Sequence, residues 1–210
     1  MWERMGKLQF DFLQERGLRP DHYLLDVGCG SLRGGVHFIR YLEPGHYFGI
    51  DSSAELLSAG RAELKRTGLA HKCPVLARME DFDFKSLRQT FDWAIAQSVF
   101  THLPLNSIMR CISNMEESLA EGGRFYATFF DNPNGKLSLA PILHHCEDKT
   151  LTTFIDQDPY HYSFDTFQFI CQGSSLRVEC LGDWRHPRDQ QMMVFAKNST
   201  TPIQQPANAI

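Results

Sequence analysis

Residues 24–35, LLDVGCGSLRGG, place four glycines after an apolar run that ends in Asp26. Gly28 and Gly30 permit tight turning and let backbone come close to a ligand. Asp51 closes a second apolar run, HYFGID. From the end of a second strand a carboxylate can accept hydrogen bonds from both hydroxyls of a ribose. Together the loop and the acid point to a nucleoside-containing ligand; the plainer account of Asp51 is an acid at a helix N-terminus. In a G-x-G-x-x-G dinucleotide fingerprint counted from Gly28, the third glycine falls at Arg33. A side chain there crowds helix–strand packing, although Gly34 and Gly35 compensate in part. The dinucleotide loop is therefore disfavoured, and a second class of nucleoside ligand stays open. His102, five residues past Gln97, is the first candidate for moving a proton, because its unperturbed pKa suits that task. The plainer account is a histidine that fixes the loop before a helix holding Pro104 in its first turn.

These residues need a frame. Trp2 to Arg16 carries Met5, Leu8, Phe12 and Leu13 at helical spacing, stopped by Gly17 and Pro20. HYLLDVG is the first predicted strand, GGVHFIRYL a helix, and HYFGID the second strand. Ser52 caps the next helix, with Glu55 completing a capping box, and Gly68 ends it. CPVLAR and FDWAIAQ are strands three and four. Pro104 opens a helix with Ile108, Cys111, Ile112, Met115 and Leu119 on its inner face, ended by Gly122 and Gly123. GRFYATFF is strand five. This alternation predicts an α/β fold with a doubly wound, mostly parallel sheet and helices on both faces. Residues 131–163 show no clean period. A helix near Phe164 to Gln172 precedes LRVECLG and QMMVFAK, which form a closing antiparallel hairpin. The expected layout is one domain over 1–197, with an N-terminal helix within 1–20 and an insertion at 131–163. The polar, Pro-containing tail 198–210 is expected to be disordered.

Across Leu24 to Phe130 the chain resembles the class I S-adenosylmethionine-dependent methyltransferases. LLDVGCGSLRGG is similar to their first motif, with two extra residues before the last glycines. GID at 49–51, FDWAIAQSVFTHLP at 91–104 and LAEGGRFYATFF at 119–130 resemble later motifs. The resemblance implies a seven-stranded sheet of order 3-2-1-4-5-7-6 with strand 7 antiparallel. It also implies S-adenosylmethionine as cofactor and S-adenosylhomocysteine as product. Asp26, Gly28, Cys29 and Gly30 would then line the methionine part, Asp26 ordering the loop and meeting the ammonium through water. Asp51, with Ser52, would hold the ribose. MEDF at 79–82 (Met79, Glu80, Asp81, Phe82) would read adenine, Asp81 accepting from the exocyclic amine and Met79 or Phe82 packing on the ring. Gln97 and Ser98 would face the transferring methyl. Two other readings stay open: a non-catalytic module that binds the same cofactor or its product, and a nicotinamide-dependent oxidoreductase.

Acceptor specificity is expected in the insertion and the last hairpin, since loops beyond the strand ends face such a site. Tyr160, His161 and Tyr162 could line a pocket; Trp184, Arg185 and His186 could meet an anionic acceptor. The alternative for Trp184 is an anchor under a solvated turn. His144, His145 and Cys146 are adjacent and do not converge as metal ligands do, so no metal is expected. DNPN at 131–134 resembles an amino-adenine methyltransferase motif but follows strand five and lacks the second proline and the aromatic. With net charge −4 and scattered basic residues, a small-molecule acceptor is favoured over nucleic acid. RAELKR at 61–66 reads as a solvated helix face. The six cysteines form no C-x-x-C pair, and no apolar run approaches membrane-spanning length. Reduced thiols in a cytoplasm, and no membrane partner, are the expectation. The oligomeric state is not legible.

Overall fold

The computed structural model describes residues 2–133, 139–147 and 150–197. The tail from 198, expected to be disordered, lies outside the described residues, as does Asn134 of DNPN. Ten strands and five helices follow in chain order among the described residues: α1 Trp2–Glu15, β1 Leu24–Val27, α2 Gly35–Tyr41, β2 Tyr47–Asp51, α3 Ala54–Arg66, β3 Val75–Arg78, β4 Phe91–Ala96, α4 Leu105–Ser118, β5 Leu119–Asp131, β6 Ile142–His145, β7 Thr150–Thr153, β8 His161–Tyr162, α5 Phe164–Ile170, β9 Leu176–Asp183 and β10 Gln191–Lys197. The main sheet runs β3-β2-β1-β4-β5-β10-β9. In the numbering of the seven expected strands this is 3-2-1-4-5-7-6. The β1–β2, β1–β4, β2–β3 and β4–β5 pairs are parallel; β10 is antiparallel to both β5 and β9.

The pleat sends alternate side chains into two cores. Phe125, Ala127 and Phe129 of β5 join Ile108, Cys111, Ile112 and Met115 of α4 and Phe167 of α5. Tyr126 of the same strand joins Phe12 and Leu13 of α1, Val36 and Ile39 of α2 and Leu57 of α3. Helices therefore cover both faces, as parallel strands require. Strand order reverses between β1 and β4, so the crevice beyond their carboxyl ends lies beside the glycine loop.

Three local features differ from the sequence reading. The N-cap of α3 is Ser53, not Ser52: its hydroxyl accepts from the Leu56 N–H at 3.1 Å and bonds Glu55 at 2.9 Å. Ser53→Ala is expected to lower stability by about 1 kcal/mol, the usual worth of such a cap, read from a urea midpoint. Second, α4 ends at Ser118, and Leu119 is the first residue of β5. Gly122, at φ 72°, and Gly123 form an irregularity inside that strand, where the register against β4 shifts. Third, the stretch without periodicity holds the β6–β7 hairpin, off the main sheet, and β8, which pairs with the last two residues of β5.

Candidate functional site

The loop after β1 is fixed from β2. The N–H groups of Gly28 and Cys29 donate to the Ile50 carbonyl at 2.8 and 2.9 Å. Asp51, at the end of β2, spans from one element to the next: Oδ2 accepts from Gly30 N–H and Oδ1 from Ser53 N–H, each at 2.9 Å. Each oxygen keeps lone-pair capacity for another donor. Gly28 and Gly30 lie at φ 72° and 55°. At Gly28 a Cβ would sit 2.5 Å from Val99 Cγ2, so the backbone there must stay bare.

Two clefts meet at Gly28. One, of 260 Å³, is walled by Asp26, Gly30, Arg33 and Gln97, with Trp2, Gln9 and Leu56 also on its lining. The other, of 160 Å³, is more apolar; Val27, Ile50, Met79, Phe82, Val99 and Leu103 flank Asp51, Ser52 and Glu80. The pair forms a polar compartment and an apolar one joined past a single glycine.

The polar compartment rests on a buried network. Asp26 Oδ2 accepts from the Tyr47 hydroxyl at 2.6 Å. Burial pushes the Asp26 carboxyl up to about 7; the Tyr47 bond opposes this, Asp51 adds to it and Arg33 opposes it. Burial likewise raises the Cys29 thiol, which stays protonated. Gln97 Oε1 accepts from Arg33 at 2.9 Å and from Gln9 at 2.7 Å. Because a guanidinium only donates, this orientation of the Gln97 amide is fixed. Its N–H groups therefore face Ser98 Oγ and His186 Nε2, the latter at 3.0 Å. The Ser98 hydroxyl donates to Gln190 Oε1 at 2.9 Å, to which the Thr128 hydroxyl also donates at 2.8 Å. His186 accepts at Nε2, and burial, with Arg188 and Arg33 nearby, holds it down at about 4. It is a neutral, fully engaged member of the network at pH 7, not a free base.

The other sequence-predicted residues are placed as follows. Met79, Glu80 and Phe82 join Ser52 in the apolar cleft. Asp81 lies on a wider depression beside it and accepts from Asp83 N–H at 3.3 Å; Glu80 pairs with Arg78. His102 ends the 3-10 turn Phe100–His102 on the exposed rim, with Nδ1 2.6 Å from Asp158 Oδ1. Its neighbours Val99 and Leu103, rather than His102 itself, line the cleft. Tyr160 N–H donates to Thr101 O at 2.8 Å, and its ring stacks on Tyr162, whose hydroxyl donates to Leu103 O at 2.7 Å. Tyr162 is buried in the α4–α5 core. His161 is buried on the opposite side, linked through Thr153 Oγ1 to His144 and on to Asp189. Trp184 packs edge-on against Phe12 and stacks on His186. Arg185 shares a separate groove with Asp11 and Glu15 of α1. The last turn thus reaches the site through His186 and Gln190, not through Trp184 or Arg185.

Gln9, Tyr47, Thr128 and Gln190 carry no sequence signature of this role. Arg33 does carry one, an arginine inside a glycine loop, which by itself argues only against close helix–strand packing. Among the described residues no group of three or more His, Cys, Asp or Glu side chains could hold a metal ion, and no helix is long and apolar enough to cross a membrane.

Residues 25–125 match the family model described as a methyltransferase domain. That stretch of the chain is similar to a methyltransferase domain. An uncharacterized protein of Methanocaldococcus jannaschii is 31% identical over 107 residues, half of this chain and 27% of its own length. A probable fatty acid methyltransferase of Pseudomonas putida is 31% identical over 119 residues, 55% of this chain and 29% of its own length. The chain therefore aligns with under a third of either relative. The fold extends further than the sequence similarity. An S-adenosylmethionine-dependent methyltransferase from Clostridium acetobutylicum superposes with a TM-score of 0.69 at 13% identity, over 95% of this chain and 92% of that one. Magnesium protoporphyrin IX methyltransferase from Synechocystis, solved with S-adenosylhomocysteine, gives 0.66 at 11% identity, over 93% and 83%. The glycine loop, Asp51 and the end of β4 all lie at the carboxyl edge of the sheet.

Proposed function

We propose that this domain binds S-adenosylmethionine across the two clefts and transfers its methyl group to a small-molecule acceptor. The observation that carries this is Asp51, on the lining of the apolar cleft, whose carboxylate ties the glycine loop that lines the polar one to the start of α3. The cradle fits such a ligand: Gly28 lines both clefts, and a Cβ there would meet Val99. In this reading Asp51 and Ser52 hold the ribose, and Met79 and Phe82 sandwich the base, with Glu80 and Asp81 at its polar edge. Asp26, Gly28, Cys29, Gly30, Gln97 and Ser98 line the methionine end. When bound, the cofactor supplies a methyl on a sulfonium that is already a good leaving group. The protein's task is then to align acceptor, carbon and sulfur and to exclude water. The fixed amide of Gln97 gives that end a rigid polar wall. His102, oriented by Asp158 on the rim, is assigned to take the acceptor's proton where one must leave. Net charge −4 favours a small molecule over nucleic acid, and six free thiols favour a reducing compartment, the cytoplasm.

Calorimetry with S-adenosylmethionine, S-adenosylhomocysteine and NAD tests the reading. Binding of both sulfur ligands is expected, and NAD binding without either would overturn it. The same instrument checks Asp26. Its folded-state pKa is raised, so its contribution to stability is greatest below the unfolded carboxylate range and is lost as pH rises through about 7. A methionyl ammonium placed beside it stabilises the charged form. Binding at pH 7 should therefore release about half a proton, read as a binding enthalpy that depends on the buffer's ionisation enthalpy. In Asp26→Asn that dependence should vanish.

A further inference from the structure

We propose that Arg33 and Arg188 form a receptor for an oxyanion, a carboxylate or phosphate carried by the methyl acceptor; this rests on the methyltransferase reading above. Arg33 stands on the wall of the polar cleft. One guanidinium nitrogen donates to Gln97, but Nε is buried and has no partner. A buried N–H has given up water and needs an acceptor in its place. The nearby acid, Asp26, is already held by Tyr47. Among the described residues neither Arg33 nor Arg188 takes part in an ion pair.

Arg188 approaches from the opposite side, on the turn between β9 and β10. Its backbone nitrogen lies 3.2 Å from His186 Nδ1, and His186 Nε2 accepts from the same Gln97 amide that Arg33 holds. Burial first, and then Arg188, disfavours the charged form of Arg33, while Asp26 favours it. Two cations are thus brought within electrostatic reach across a neutral histidine and an amide, and an anion between them offsets the repulsion. Paired guanidinium forks suit the oxygens of carboxylate or phosphate. The location separates this site from the nucleoside half. Arg33 reaches the end of β4 and Arg188 comes from the turn after β9, whereas Asp51 lies at the end of β2 in the apolar cleft, lined from the ends of β1, β2, β3 and β4. An acceptor must arrive from the β4–β10 side.

The test follows the arginine Nε–H resonances by NMR while acetate, malonate and inorganic phosphate are titrated, with and without saturating S-adenosylhomocysteine. Arg33→Met identifies the Arg33 signal. A saturable shift of that signal that persists with S-adenosylhomocysteine bound is expected. Its midpoint should rise about tenfold in Arg188→Met, the scale of one charge-assisted contact. No saturable shift would overturn the proposal. So would a shift abolished by S-adenosylhomocysteine, which would give the arginines to that ligand's own carboxylate. An unchanged midpoint in Arg188→Met would remove Arg188 and with it the two-arginine receptor. Arg33→Lys serves where Arg33→Met unfolds, with a lost fork and a retained charge expected to weaken the midpoint. Absence of S-adenosylhomocysteine binding in the wild type would sink the methyltransferase reading instead, and the ligand-free titration would then decide whether the oxyanion site exists.

Discussion

Asp51→Ala is expected to weaken S-adenosylhomocysteine binding by about 100-fold or more. Two charge-assisted hydrogen bonds to ribose hydroxyls, at roughly 1.5–3 kcal/mol each, account for that size. A second loss adds to it. Both carboxylate oxygens also hold N–H groups of this protein, Gly30 at the glycine loop and Ser53 at the start of α3. Alanine frees both, so the loop has to be ordered again by the ligand. Asp51→Asn should be nearly as damaging, because one oxygen becomes an NH2 that must face Gly30 N–H or Ser53 N–H. Calorimetry measures the affinity, and a thermal melt shows whether the fold is intact. An affinity within about threefold of wild type, in a folded Asp51→Ala protein, would remove Asp51 from the ribose site.

Gly6→Ala should be the most disruptive small substitution in α1. Gly6 is a buried helical residue, and a Cβ built on it lies 2.0 Å from the Arg33 carbonyl oxygen and 2.9 Å from its carbon. These are backbone atoms, so no rotamer change relieves the clash. Either α1 lifts or the start of α2 shifts. Overpacking of this kind costs about 1–3 kcal/mol, and a main-chain obstacle belongs at the upper end. The effect extends beyond stability. Gln9 lies one turn further along α1 and donates to Gln97, so a displaced helix also unseats the amide at the end of β4. Urea unfolding and S-adenosylhomocysteine affinity should therefore fall together. Lys7→Ala, on the exposed face beside it, is expected to change neither by much. Wild-type stability and affinity in Gly6→Ala would show that α1 is not seated as described.

Much of the frame was legible because its signals are local. Short apolar runs alternating with helices of 3.6-residue period were enough to place the strands through β5, and the resemblance to the methyltransferases implied their order. The boundary between α4 and β5 was not, because Leu119 is apolar and fits either period; the chain passes from Ser118 to strand without an intervening loop. The β6–β7 hairpin was hidden because it pairs only with itself and lies off the sheet. At the site, glycines and Asp51 announced themselves by spacing. The network around Gln97 could not, since its partners Gln9, His186 and Gln190 are distant in sequence and glutamine has no characteristic neighbours. In the last turn the aromatic and charged residues suggest acceptor contacts by their type, yet Trp184 anchors against α1 and Arg185 lines another groove.

That turn has a consequence for how the sequence can diverge. Residues 183–185 face α1 and solvent, whereas His186, Asp189 and Gln190 are each tied to a different partner: Gln97, His144 and the Ser98–Thr128 pair. An insertion before His186 lengthens an outward bend. The same insertion after it breaks three tethers at once. Relatives of this chain should accordingly vary in length on one side of a single peptide bond and keep constant length on the other, with the boundary at Arg185–His186.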